Sequence, residues 1–287
     1  MPLTEAQVKG RIKSLAKKNN ADARVLMRIY MMERFLERMA ASPYADNFII
    51  KGGILVTSMV GIAMRSTMDV DTSLQHLELS EENSRRIAEE IVAVNLNDDV
   101  HFHIKDVSRI MDDMEYPGIR IAMDATLGMI STPVKIDIST GDVITPGAIE
   151  YSYPLMLDDR SIRLWSYNPE TILAEKLQTV LARGVLNTRM RDFYDIHMLL
   201  AGYSEQINTE VLQKAFHATC KNRRSLQLEA QGGEILALIA TNDVLHRMWK
   251  NYQRKFPYAA EIPYTDVTAS VAKLFERTQQ KNTGLHS

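Results

Sequence analysis

The sequence has little that could build a disulfide or zinc scaffold. Its one cysteine, Cys220, cannot form an intramolecular disulfide and cannot make a zinc site without several histidines close by. Long apolar runs are missing as well. Nothing approaches the roughly 18 residues of a membrane span, and the best stretch, residues 49–64, is interrupted by Lys51, Gly52 and Gly53. Residues 1–15 carry Glu5, Lys9, Arg11 and Lys13 with no apolar core, so they do not read as a secretory signal. A cytoplasmic protein with no membrane association is expected. Charge of one sign is also lacking: 34 Lys and Arg stand against 36 Asp and Glu, a formal net charge of −2. That balance neither demands nor excludes a nucleic-acid partner, because a local patch decides binding.

What is present is ordinary globular material, 45% hydrophobic and 24% charged, which excludes disorder and collagen-like repeats. A length of 287 residues allows one large domain or two of common size. Thr4 with Gln7 has the form of a capping box. Val25, Ile29, Met32, Leu36 and Met39 then recur at helical steps and predict an amphipathic helix with one apolar stripe, its methionines acting as adaptable core filler. Strands are predicted at residues 48–50, 68–73, 100–104, 119–127 and 134–138, with weaker ones at 154–157 and 162–165. A helix is expected over residues 54–64 and another after Ser80. From Asn168 the pattern is almost wholly helical, with Asn168 as an N-cap, Pro169 at the first helical position and a further helix over 233–256 broken near Asn242. A mixed α/β half ending near residue 165 is thus followed by a helical half.

The chemistry concentrates in three places. In a strand, residues two apart point to one side, so Asp69 and Asp71 present their carboxylates together. Two close carboxylates repel, and a divalent cation relieves the conflict; hard oxygen ligands suit magnesium, with substrate phosphates completing its shell. A solvated loop with scattered acids is the plain alternative. Val134, Ile136 and Ile138 would face a core and leave Lys135 and Asp137 on the opposite face, a third acid able to lie beside the first two. Three converging acids fit a two-metal displacement, against the alternative of an exposed sheet edge. Lys51-Gly52-Gly53 sits at a strand-to-helix junction, where glycine amides and the helix start can approach a phosphate. In the helical half Lys176 lies beside an apolar stripe, where lysines commonly snorkel to solvent, and Arg191 and Asp195 stand one turn apart as an ordinary ion pair would.

Taken in order, these segments resemble the AbiEii/AbiGii toxin family of nucleotidyltransferases, the toxin halves of bacterial abortive-infection (type IV) toxin–antitoxin pairs. The carrying residues are Lys51-Gly52-Gly53, then Arg65, Thr67, Asp69 and Asp71, then Lys135 and Asp137. Glu170 with Ala174-Glu175-Lys176-Leu177, and Arg191, Asp192 and Asp195, complete the set over about residues 48–200. The resemblance implies an α+β fold: a nucleotidyltransferase-like mixed-sheet domain with N-terminal helices over residues 1–165 and a helical domain over 166–287. It implies magnesium-dependent transfer of a nucleoside monophosphate from an NTP, with release of pyrophosphate, to RNA such as the tRNA 3′ end, blocking translation. It also implies a separately encoded cognate antitoxin.

Carried over, Asp69 and Asp71 would hold magnesium, and Asp137 would complete the metal site or help activate the attacking hydroxyl. Lys51, Gly52 and Gly53, with Arg65 and Thr67, would form the nucleotide-binding turn. Lys176 would meet the triphosphate, and Asp192 or Asp195 would support the site from the helical side. Relatives often have Gly-Ser where this chain has Gly52-Gly53, so Thr57 or Ser58 would have to supply the hydroxyl. Alternative readings are transfer to a small molecule or a protein hydroxyl, or a nucleotide-binding or interaction module without turnover.

The remaining candidates read as structural. His197 and His217 suit packing, and His101 and His103 share a strand face without a third ligand. Lys221, Arg223 and Arg224 form one basic cluster. Arg247, Lys250, Arg254 and Lys255 form another around Trp249, Tyr252 and Phe256, read as a buried aromatic stripe with a basic solvent face, or as a groove that stacks bases.

Overall fold

The computed structural model describes residues 3–61, 63, 65, 67–110 and 118–280. The chain divides into two compact units, Met1–Asp142 with Ile149–Ser166, and Val143–Ala148 with Tyr167–Ser287. The fold is α+β.

The first unit is built on one mixed sheet. Its described strands are β1 (Phe48–Lys51), β2 (Val70–Leu74), β3 (Val100–Ile110), β4 (Gly118–Leu127), β5 (Ile130–Ser139), β6 (Ile149–Pro154) and β7 (Ser161–Ser166), in the order β3-β4-β5-β2-β1-β7-β6. The β2–β5 and β1–β7 pairs run parallel and the others antiparallel. Alternation sorts the central side chains. Val70 and Leu74, Ile119, Ile121 and Met123, and Val134, Ile136 and Ile138 are buried. Asp71, Arg120, Lys135 and Asp137 occupy the intervening positions, which by the period of two puts them on the opposite face.

Four described helices complete this unit. α1 (Glu5–Asn19) opens on a capping box: Gln7 Oε1 accepts from the Thr4 N–H at 2.9 Å, and Thr4 Oγ1 accepts from the Gln7 N–H at 3.4 Å. α2 (Ala23–Ala41) is not the one-stripe helix its spacing predicts, because every residue from 29 to 36 is buried. The reason is that α1, α4 (Glu81–Val92), β5 and β7 all pack against it. Its charged residues are therefore matched inside the fold. Arg38 donates to Asp98 at 2.9 and 2.6 Å and to the Val100 carbonyl at 2.7 Å, and its guanidinium lies over the Phe102 ring. The Glu33 carboxylate accepts the Met156 N–H at 3.0 and 3.1 Å. Met31, Met32 and Met39 are core filler.

α3 (Gly52–Val60) starts two residues before its expected position, so both glycines belong to its first turn. It ends at Gly61, whose φ of +92° no ordinary side chain favours. Residues 62, 64 and 66 of the expected 54–64 helix and the segment after it lie outside the described residues. The expected strand at 154–157 is also displaced: β6 ends at Pro154, and the chain then turns, with the Leu155 N–H donating to the Arg160 carbonyl at 2.9 Å. Proline offers no donor to a ladder, and Glu33 takes the next free N–H, that of Met156, away from the sheet.

The second unit is helical, with α5 (Pro169–Arg183), α6 (Met190–Tyr203), α7 (Thr209–Asn222), α8 (Leu228–Ala240), α9 (Asp243–Lys255) and α10 (Tyr264–Gln279). Asn168 caps α5 through the Thr171 N–H at 2.7 Å and ties residues 143–148 to this unit by donating to the Thr145 carbonyl at 2.7 Å. α10 packs on α6, α7 and α8, around Phe193, Ile196, Leu212, Phe216, Val271 and Leu274. The break at Asn242 is a new helix start, since its Oδ1 accepts from Val244 and Leu245. Among the described residues no helix is long and apolar enough to cross a membrane.

Burial pushes the Glu33 carboxyl up to about 8, only partly offset by the Met156 N–H and the Arg34 charge. The folded chain therefore keeps this proton to near pH 8, whereas the unfolded chain releases it near 4.5. Native protein binds more protons across that window, so stability falls as pH rises through it, by at most about 1.4 kcal/mol per pH unit. Urea midpoints measured at pH 5, 7 and 8.5 are expected to decline in the wild type and to decline less in Glu33→Gln.

Candidate active site

The site begins with register. β2 and β5 pair in parallel with Asp71 opposite Asp137, so the two carboxylates leave neighbouring strands at the same level. Asp69 lies two residues before Asp71, just outside β2. Three acids thus gather at the middle of the sheet. Burial first, then the neighbouring Asp137 and Asp71 charges, push Asp69 above the usual carboxylate range, against the pull of Lys135 and Arg120. The Asp69 carboxylate makes no hydrogen bond or ion pair among the described residues, while the Asp69 backbone carbonyl accepts from Thr67 Oγ1 at 3.3 Å.

The other two acids are matched by the chain itself. Asp71 Oδ2 accepts the Gly53 N–H at 3.0 Å, so this carboxylate serves as the cap that Lys51 does not provide by its side chain. The contact requires glycine: Gly52 sits at φ +58°, and a Cβ there would overlap Asp71 Oδ2. A Cβ at Gly53 would overlap Thr67 Oγ1. Arg65, buried behind this turn, donates to the Gly53 carbonyl at 2.6 Å and to Thr57 Oγ1 at 2.9 Å. Asp137 receives Arg120 as a fork, Nε to Oδ1 at 2.8 Å and Nη2 to Oδ2 at 2.6 Å. Arg120 and Asp137 are in-register partners of the β4–β5 ladder. Nothing in the spacing of the sequence marks Arg120; only the register does.

An all-oxygen donor set with excess negative charge, centred on a half-buried Asp69 carboxylate that finds no partner among the described residues, is what a divalent cation fits. Asp69 and Asp71 are the acids that could hold one. Among the described residues no three acidic or imidazole side chains stand close enough to share an ion. Both oxygens of Asp137 are turned onto Arg120.

The remaining sequence candidates are placed as follows. Lys51 donates to Ser139 Oγ at 2.7 Å and pairs with Asp142 at 2.6 Å. Burial raises Asp142, but Lys51 and the hydroxyls of Ser139 and Ser73 bring it below the usual carboxylate range. Thr57 and Ser58 have their hydroxyls engaged inside the fold, Thr57 with the Gly53 carbonyl and Ser58 with the Leu55 carbonyl and Tyr151. The Thr67 hydroxyl also lies against the glycine turn.

In the second unit Lys176 does not snorkel. Its side chain is 12% exposed, and its ammonium pairs with Asp192 at 3.0 Å and Asp195 at 2.7 Å. Asp192 also receives Arg189 at 2.8 Å. Burial raises Asp192, yet the Lys176 and Arg189 charges outweigh it and hold the group below the usual range. The Arg191 guanidinium lies over the Phe256 ring. Glu170 accepts the Asn208 N–H at 2.8 Å, and Glu175 pairs with Arg223 at 3.1 Å. Trp249 and Tyr252 are buried, Trp249 donating to the Ile262 carbonyl, so these two rings of the stripe are core, while Phe256 is half-buried. His197 bonds Ser270, His217 bonds Glu229, and the Cys220 thiol is buried and pushed up to about 11 by that burial.

Comparison with known proteins identifies the family. The model of the family described as nucleotidyl transferase AbiEii toxin, type IV TA system, matches residues 34–276. The chain is therefore a nucleotidyltransferase. It belongs to the AbiEii toxin family of type IV toxin–antitoxin systems, in which a toxin is paired with a separate cognate antitoxin. A search of curated proteins finds no match. Among solved structures, JHP933 from Helicobacter pylori is 14% identical, with 89% of this chain and 90% of that chain covered and a TM-score of 0.49. A candidate nucleotidyltransferase from H. pylori is 16% identical, covering 89% and 93%, with a TM-score of 0.44. An antigenic nucleotidyltransferase-like protein from Paracoccidioides brasiliensis is 13% identical, covering 95% of each chain, with a TM-score of 0.30.

Two substitutions test the local geometry. Gly52→Ala forces a left-handed φ on a side chain that meets Asp71, and is expected to cost about 1–3 kcal/mol in denaturant unfolding and to abolish transfer. Lys176→Met leaves two buried carboxylates sharing one site and is expected to cost about 3–5 kcal/mol. A Lys176 that served the substrate alone would give wild-type stability in the same unfolding experiment.

Proposed function

We propose that the chain transfers a nucleoside monophosphate from an NTP to RNA, with the tRNA 3′ end as acceptor, and so blocks translation in the cytoplasm until its antitoxin intervenes. The observation that carries this reading is the in-register Asp71–Asp137 pair with Asp69 beside it, next to the first turn of α3. The nucleotidyltransferase domain is assigned to the first unit and the helical domain to the second, close to the boundary near residue 165 expected from the sequence.

In this reading Asp69 and Asp71 hold magnesium, which would supply charge neutralisation for the polyphosphate and for the attacking oxygen. The acceptor hydroxyl oxygen attacks the α-phosphorus, the bond to the bridging oxygen breaks, and pyrophosphate leaves. Asp137 completes the metal site or helps to activate the attacking hydroxyl. Gly52 and Gly53 bring backbone close to the phosphates, while Lys51, Arg65 and Thr67 fix that turn from behind. Lys176, held by Asp192 and Asp195, is the cation assigned to the triphosphate.

An RNA acceptor is supported by α9. Arg247, Lys250 and Arg254 are exposed on one helix face around a cavity of about 340 Å³, which Val244, Met248 and Asn251 also line. No acidic side chain among the described residues pairs with any of the three. A cluster of uncompensated cations on a chain of net charge −2 suits a phosphodiester backbone.

The direct test incubates purified protein with magnesium, total bacterial RNA and each NTP labelled at the α-phosphorus. Label is expected in a tRNA-sized band and lost in Asp71→Asn. Label in no RNA would turn the acceptor to a small molecule or a protein hydroxyl. Replacing Arg247, Lys250 and Arg254 together with Gln is expected to weaken RNA binding and flatten its salt dependence by about two to three units of log–log slope, read by fluorescence anisotropy.

A further inference from the structure

Asp137 is the acid of the three whose two oxygens are both occupied by a cation of the chain. Arg120 reaches it across the β4–β5 ladder in a parallel fork, at 2.8 and 2.6 Å. A fork of this kind matches the guanidinium edge to the carboxylate edge and leaves little of either oxygen for a third party. The Asp137 side chain is 14% exposed and that of Arg120 36%, so the guanidinium approaches from the wetter side and can leave without unpacking the sheet. Arg120 also stands within the field of Asp69 and Asp71.

We propose that Arg120 is a positioning residue that occupies the cation's place at Asp137. It holds the third carboxylate while the site is without a divalent ion and gives it up when the ion arrives, so Asp137 is delivered by an exchange of partners. The inference rests on the reading of Asp69 and Asp71 as cation ligands. It accounts for a contrast in the structure: Asp71 and Asp137 share one level of the sheet with Asp69 just before β2, yet no three ligating side chains among the described residues converge. Lysine could not do the same, because its point charge lacks the fork that ties up both oxygens.

The exchange makes a directional claim. Removing Arg120 takes a positive charge from beside the ion and frees Asp137, so cation affinity must rise. Calorimetric titration of Mn²⁺ into the full-length protein without nucleotide is expected to give about five- to tenfold tighter binding for Arg120→Gln than for wild type. Arg120→Lys is expected to lie between the two, and Asp71→Asn to bind weakly or not at all. Thermal unfolding of each variant verifies that it is folded, and the Lys variant carries the test should the Gln variant not fold. Unchanged or weaker Mn²⁺ binding in the folded Arg120 variants, beside an Asp71-dependent site in the wild type, overturns the exchange and leaves the nucleotidyl-transfer reading standing. A wild type with no Asp71-dependent Mn²⁺ site overturns both.

Discussion

Two carboxylates facing each other across a parallel strand pair repel, and much of the first unit is arranged around that repulsion. Asp71 and Asp137 stand at one level of the sheet with Asp69 beside them. The chain answers locally at two of the three. A backbone amide from the start of α3 meets Asp71, and a guanidinium from β4 meets Asp137. The Asp69 carboxyl is left with a raised proton affinity and no hydrogen-bond partner among the described residues. A sheet that served only as scaffold would have no reason to keep two acids at one level with a third beside them. The glycines follow from the same constraint, since a side chain at Gly52 would drive α3 away from Asp71.

The second unit handles buried charge differently. Lys176 sits between Asp192 and Asp195, and Arg189 adds a second cation to Asp192. Such a cluster costs desolvation that ion pairing only about repays, so its value lies in holding a defined arrangement more than in stability. Arg38 with Asp98 in the first unit follows the same logic, fixing α2 to the start of β3.

The acids were legible in the sequence because their signal is short-range. Asp137 follows from the alternation of Val134, Ile136 and Ile138, and Asp71 from its place in β2, whereas Asp69, expected in the same strand, lies just before it. The helix starts at Thr4, Ser80, Asn168 and Asn242 were legible for a similar reason, because a cap is a contact over two or three residues. What could not be read depends on contacts distant in sequence. Arg120 gains its role from the β4–β5 register. The all-round burial of α2 depends on four elements that surround it, and β6 ends early because Glu33, more than a hundred residues away, takes the Met156 N–H. Lys176 looked like a snorkelling lysine because its two carboxylates come from the following helix.

The central claim is that Asp69 and Asp71 hold a divalent cation on the polar face of the sheet. Anomalous diffraction from crystals soaked in Mn²⁺ with a non-hydrolysable NTP tests it most directly. The strongest peak is expected in contact with the Asp69 and Asp71 carboxylates, with the triphosphate against the first turn of α3 and Asp137 turned from Arg120 toward the ion. A saturated crystal with its strongest peak elsewhere, and with Asp137 still forked to Arg120, would contradict it.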